Sequence, residues 1–165
     1  MERLVYVLDA NVFIEAARRY YAFDLRTRFW DILSQHADNE VVESVDRVKK
    51  ELDKEKDELT EWANSSFSRA FRSTDKEDVI ASYGKVMTWV QGQPQFSSAA
   101  KADFAEGADG WLVAYAMTKG RIVVTHEVPA PEARRKVPIP NVCQQFGVRY
   151  MDTFAMLRQL GVRFT

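Results

Sequence analysis

The chain opens on an apolar run, residues 4–8 (Leu-Val-Tyr-Val-Leu), whose two alternating sets of positions are both apolar, predicting a short strand buried on both faces. The period then changes. Asp9, Ala10 and Asn11 are polar or small, and Val12, Phe13, Ala16, Ala17 and Tyr20 recur at helical spacing. Phe29, Trp30, Leu33 and Ala37 form a second amphipathic stripe, with Asp24 placed to cap its start. Val41 and Val42 predict a brief strand, and Val45, Val48 and Leu52 the face of a third helix. From about residue 55 to 93 the pattern stays helical and charged outside, with Leu59, Trp62, Val79, Ile80, Tyr83, Val86, Met87 and Val90 as apolar positions. A turn rich in Ser and Arg over 65–74 divides this stretch, and Gly92 and Pro94 end it.

Helix and strand alternate again in the second half. Residues 109–118 predict a helix stopped by Gly120, and residues 122–125 an apolar strand ending in polar groups. Residues 128–140 carry four of the five prolines together with Arg134, Arg135 and Lys136, the composition of an exposed connection. A short strand near 148–150 and a last helix follow. Parallel strands separated by helices predict a three-layer α/β/α sandwich around a small, mainly parallel sheet. Residues 1–165 are expected to form one domain, with a helical insertion over about 55–95.

Composition narrows the function classes. Hydrophobic residues at 46% and charged ones at 28% suit a water-soluble globular domain, and no apolar run approaches the roughly 20 residues that span a bilayer. No signal peptide is recognisable, so a cytoplasmic protein is expected. The single cysteine, Cys143, has no partner for a disulfide or a zinc site and is expected to be a packed thiol. A net charge of −1 gives no global basic signal, so any contact with nucleic acid must use a local patch.

Four acids stand where a solvated surface acid would not. Asp9 ends the first strand at the strand-to-helix turn, where open α/β sheets build their crevices. Glu51 lies three residues beyond Val48, at the edge of a buried helical face. Asp109, Leu112, Val113 and Ala116 share one stripe, which puts a carboxylate on the core side of a helix start. Glu127 follows the later strand and falls at the same end of a parallel sheet as Asp9. Singly, each has a plain alternative: Asp9 and Asp109 as helix caps, Glu51 on a solvated face, Glu127 in a loop. Together, carboxylates crowded in a crevice repel one another, which protonation or a divalent cation relieves. An oxygen-only set favours Mg²⁺ or Mn²⁺ over zinc, and such a centre activates water and steadies a phosphodiester transition state.

These motifs, taken in order, resemble those of the PIN-domain ribonucleases. "LDANVFIEA" is similar to the family's opening strand-end Asp, "VKKEL" to its second acidic motif, "ADGWLVAYA" to its third and "VVTHE" to its strand-end Thr with the last acid. "YYAFDLRTRFW" and "RRKVPIPNVCQQFGV" resemble a PIN-like subgroup longer than VapC toxins. The resemblance implies that Asp9, Glu51, Asp109 and Glu127 surround one or two Mg²⁺ or Mn²⁺ ions, with Asn11 and Thr125 supporting them by hydrogen bonds. Glu stands at 127 where many members have Asp, a longer reach that bears on a second metal. The resemblance also implies an RNA substrate, with VapC-like members having a small antitoxin that covers the acidic pocket. The helical segment is open to use as a specificity clamp or a homodimer surface.

Arg134, Arg135 and Lys136 are the densest basic run and could meet RNA phosphates, or form a solvated loop. Arg18 and Arg19 could add charge, and Tyr20 a stacking surface, although Tyr20 and Phe23 fit core packing better. His126 is a proton carrier or, more in keeping with the family, a spacer. A haloacid-dehalogenase-type phosphatase is disfavoured because Asn11 replaces the second Asp of its Asp-x-Asp motif, and no Walker loop is present. The remaining alternative is a non-catalytic PIN-like module that binds RNA or protein.

Overall fold

The computed structural model describes residues 3–23 and 26–163. Its centre is a sheet of five parallel strands in the order β3-β2-β1-β4-β5. β1 (Tyr6–Leu8) and β4 (Ile122–Val124) lie innermost and are buried throughout, as their unbroken apolar sequences require. β2 (Val42–Val45) is equally buried although it reads Val-Glu-Ser-Val. Its two polar side chains are satisfied internally: Ser44 Oγ donates to the Leu8 carbonyl at 2.6 Å, and the Glu43 carboxylate accepts from Tyr115 Oη, Arg121 Nε and Arg72 Nε at 2.8, 2.7 and 3.1 Å. β3 (Phe71–Arg72) and β5 (Tyr150–Met151) are short, half-buried edges.

Helices flank the sheet, giving the expected layered α/β architecture. α1 (Ala10–Glu15) passes into a π-helical stretch, Ala16–Tyr20, a deviation that often accompanies functional sites. α2 (Thr27–Asp38) precedes β2, and α3 (Asp46–Asp53) and α4 (Glu58–Ser66) follow it. Aromatic rings join this half: Phe23 stacks on Trp30 at 4.1 Å, Trp30 meets Trp62 edgewise at 4.8 Å, and Phe13 meets Phe67 at 5.4 Å. α5 (Glu77–Gln91) and α6 (Ser98–Glu106) lead to α7 (Asp109–Lys119), which packs against β2, β4 and α5. α8 (Ile139–Phe146) and α9 (Thr153–Gln159) complete the chain on either side of β5.

Several elements differ from the sequence expectation for identifiable reasons. Val45 is the last residue of β2, not part of the α3 face, because the strand runs straight into the helix with Val45 at its N-cap. The stretch over 65–74 holds a 3₁₀ turn (Ser68–Ala70) and β3, a strand too short to register as a pattern. Segment 55–95 thus supplies one strand of the sheet and buries Leu59, Val79, Val86 and Val90, whereas Ile80 is exposed. The proline-rich connection is exposed only in part: Val137, Pro138, Ile139 and Pro140 are buried and open α8, the fixed proline φ suiting the first turn of a helix. The last strand begins at Tyr150 rather than 148. Gly120 stops α7 as expected, in a left-handed conformation (φ 69°) that glycine adopts without Cβ strain. Cys143 is fully buried, which pushes its thiol up to about 12. The Asp24 cap lies outside the described residues, and no described helix is long and apolar enough to cross a membrane.

Candidate active site

Strand order decides where a crevice opens. From β1 the chain moves outward through β2 and β3, then crosses back to place β4 and β5 on the other side of β1. The switch point therefore lies between β1 and β4, and the crevice lies outside their carboxyl ends. Register aligns Leu8 with Val124, so the next residues, Asp9 and Thr125, emerge side by side.

Asp9 is 2% exposed and occupies the N-cap position of α1, yet its carboxylate caps nothing. Instead its Oδ2 accepts a hydrogen bond from Thr125 Oγ1 at 3.0 Å. The Thr125 hydroxyl accepts in turn from the Glu127 amide at 3.1 Å, so one buried side chain ties both strand ends together. The helix-cap alternative for Asp9 is thereby excluded. Burial, reinforced by the charges of Glu127 and Glu51, pushes the Asp9 carboxyl up to about 7, against the lowering effect of the Thr125 hydrogen bond.

Asp109 is the first residue of α7, and Ala108 before it offers no side-chain cap. Among the described residues no hydrogen bond or ion pair reaches the Asp109 carboxylate. Desolvation, then the charges of Asp9 and Glu127, hold its carboxyl well above the ordinary range. Gly110 fixes this helix start. A Cβ there would lie 3.0 Å from Phe104 and 3.1 Å from Tyr83, so glycine permits the close packing. Trp111 is clamped beside it, stacked on Tyr83 at 3.7 Å with the Arg47 guanidinium 4.3 Å from its ring centre.

Glu51, on α3 and half-buried, uses Oε1 to accept the Ala108 amide at 3.1 Å, which joins it to the turn that presents Asp109. Glu127 is held at both oxygens. Oε1 accepts the Ile139 amide at the start of α8 at 3.0 Å, and Oε2 pairs with Lys136 Nζ at 3.2 Å. Lys136 thus faces the acids instead of extending the basic run. Arg134 is exposed, and Arg135 lines a cleft of about 220 Å³ with Lys136, Asp103 and Asp109. Asn11 departs from expectation: it is exposed on α1, and among the described residues its amide makes no hydrogen bond. The turn puts Asp9 inward and leaves the residue two positions on facing solvent.

On the other flank, Tyr20 is 47% exposed rather than packed in the core, its ring 5.8 Å from His126 and edgewise to Phe154 at 5.4 Å. His126 Nε2 shares a hydrogen bond with Thr153 Oγ1 at 3.0 Å. Phe23 packs on Trp30. Arg18 and Arg19 are spent on exposed pairs with Glu55 and Glu15.

The four acids share one end of the sheet and act on one another electrostatically. Among the described residues, however, no three Asp, Glu, His or Cys side chains converge closely enough to cage an ion as they stand. The donor chemistry nonetheless fits Mg²⁺ or Mn²⁺. Among the described residues Asp109 is unpaired and Asp9 has an oxygen free of hydrogen bonds, and burial together with the neighbouring acids raises both carboxyls, a cost that a bound cation would offset.

A parallel sheet flanked by helices, with acids outside the carboxyl ends of its central strands, is consistent with the PIN-like fold. A solved structure, that of VapBC2 from Rickettsia felis bound to a DNA fragment from their promoter, is similar to the chain with a TM-score of 0.53 and 14% identity, over 90% of this chain and 98% of that one. No curated protein matches the sequence. The chain belongs to the family described as DUF4411, a domain of unknown function, which matches residues 6–164.

Proposed function

We propose that the protein is a Mg²⁺- or Mn²⁺-dependent endoribonuclease of the PIN-like type, hydrolysing RNA phosphodiester bonds. The observation that carries this reading is the pair Asp9 and Asp109, two carboxylates at the switch point whose proton affinity is raised by burial and by each other's neighbours. Such a pair is costly in a structural role, since an apolar or singly charged pair would fold more stably, and it is what a cation site requires before its ion arrives. A bound divalent ion would supply charge to a phosphodiester oxygen and a water of lowered pKa. Asp9 and Asp109 would hold it, with Glu51 and Glu127 completing the acidic surround. Thr125 orients Asp9, and the Gly110–Trp111 packing orients Asp109.

RNA fits the surroundings. Arg135 beside the cleft and exposed Arg134 offer phosphate contacts, and Tyr20 presents a ring on which an unpaired base can stack. The likeness to a VapBC2 structure supports a second protein, an antitoxin, as a partner that covers the acidic pocket. Segment 55–95 is proposed to serve substrate selection or homodimer contact, and a cytoplasmic location follows from the same reading.

One observation favours a second reading, a non-catalytic module for RNA or protein: the acids do not converge into a ready-made cage. Cleavage of total tRNA and rRNA in Mg²⁺ or Mn²⁺, against EDTA and Asp9→Asn controls, separates the two. Metal-dependent cuts absent from the variant are expected. RNA binding without cuts in either metal would favour the module.

A further inference from the structure

We propose that the Lys136 ammonium takes the place of a second cation in this centre, so that the protein binds a single divalent ion at Asp9 and Asp109 and keeps Glu127 for the lysine. The inference rests on the metal-dependent reading above and adds the number of ions and the division of labour among the acids.

Glu127 is fully engaged within the protein. Both of its oxygens are engaged by protein donors, the Ile139 amide at 3.0 Å and Lys136 Nζ at 3.2 Å. A second ion bridging to Glu127 would have to displace an ammonium already in place and sit beside it, two cations sharing one carboxylate. Among the described residues Asp109 has no such partner and Asp9 has one oxygen free of hydrogen bonds, so these two remain open. Lys136 also acts on Asp9 and Asp109 through its charge, the cationic contribution in an otherwise acidic neighbourhood.

The Lys136 side chain is 58% exposed, and what sets its reach to Glu127 is the backbone beneath it. The connection that carries Lys136 is pinned on both sides: the Arg134 carbonyl accepts the Ser97 amide at 2.8 Å, and Val137 is 2% exposed. Further back, Asn141 bridges to Ala130 with both its amide groups, at 2.9 and 2.8 Å. Arg134 and Arg135 on the same run make no ion pair with the acids among the described residues, so contact with Glu127 is particular to Lys136.

The test counts Mn²⁺ bound per chain by the electron paramagnetic resonance of the free ion during titration, with circular dichroism to establish that each variant is folded. The wild-type protein and Lys136→Arg are expected to bind one ion, and Lys136→Met two, because Glu127 then becomes available. Glu127→Gln is expected to keep a count of one ion, bound more weakly for the loss of a nearby negative charge, which decides the matter if Lys136→Met fails to fold. Equal counts in wild type and Lys136→Met, or loss of the ion in Glu127→Gln, would overturn the assignment of Lys136 while leaving a metal centre. No ion in the wild-type protein would overturn both this inference and the reading beneath it.

Discussion

Asp9→Asn should make the metal-free protein more stable while removing its activity. The substitution keeps the shape and a carbonyl to accept from Thr125, and takes away a buried charge. The folded-state carboxyl titrates at about 7 against an ordinary 3.8, so the folded protein holds this proton more tightly than the unfolded chain. With that sign, the contribution of Asp9 to stability is best below pH 3.8, declines as pH rises, and reaches its worst above about 7. Two-state linkage between these values gives a cost on the order of 4 kcal/mol at pH 8 and less than half of that at pH 5. Asn carries no such cost, so the gain on substitution should shrink by more than half between those conditions. For a chain of this size about 4 kcal/mol corresponds to a rise in Tm on the order of 10 °C. Thermal unfolding in EDTA at the two pH values reads it directly. A variant no more stable than wild type at pH 8, or one whose gain is the same at pH 5, would refute the claim that Asp9 is a strained, cation-seeking carboxylate.

Thr125→Val removes the donor to Asp9 and the acceptor for the Glu127 amide, and should cost about 2 kcal/mol in urea denaturation at pH 8. It should also move the pH at which stability falls upward, since the Thr125 bond is what lowers the Asp9 carboxyl; an unchanged profile would show that the bond is idle. Gly110→Ala should lose about 1–3 kcal/mol, because its Cβ meets two rings at 3.0 and 3.1 Å, and a neutral outcome would mean that Phe104 and Tyr83 yield freely. Replacing Arg134 and Arg135 by Ala should weaken RNA binding and reduce the slope of log affinity on log salt by about 1–2. An unaltered slope would return those side chains to solvent.

The strands and acids were largely legible because their signals are local. Apolar runs of three to five residues gave β1 and β4, and the placement of Asp9, Asp109 and Glu127 at element ends follows from those boundaries. What escaped depends on contacts distant in sequence. Glu43 and Ser44 carry no sequence signal of burial, yet they fill a buried strand because Tyr115, Arg121, Arg72 and the Leu8 carbonyl satisfy them from up to 78 positions away. β3 is too short to carry a period, and α6 follows a breaker with little amphipathic pattern, its buried side chains being Ala100 and Phe104 alone. Lys136 looked like one of three equivalent cations, and only the fold of the connection turns it toward Glu127. Asn11 stands two positions beyond Asp9 and is exposed where Asp9 is buried, a difference that the local sequence does not signal.

The most direct measurement is the rate of cleavage of one end-labelled single-stranded RNA across a Mn²⁺ titration, wild type beside Asp109→Asn, with both proteins shown to be folded. Cleavage that rises with Mn²⁺ in the wild type and falls at least a hundredfold in the variant is predicted, a loss of about 3 kcal/mol in transition-state stabilisation. Equal rates in the two proteins, or cleavage that ignores Mn²⁺, would contradict the account.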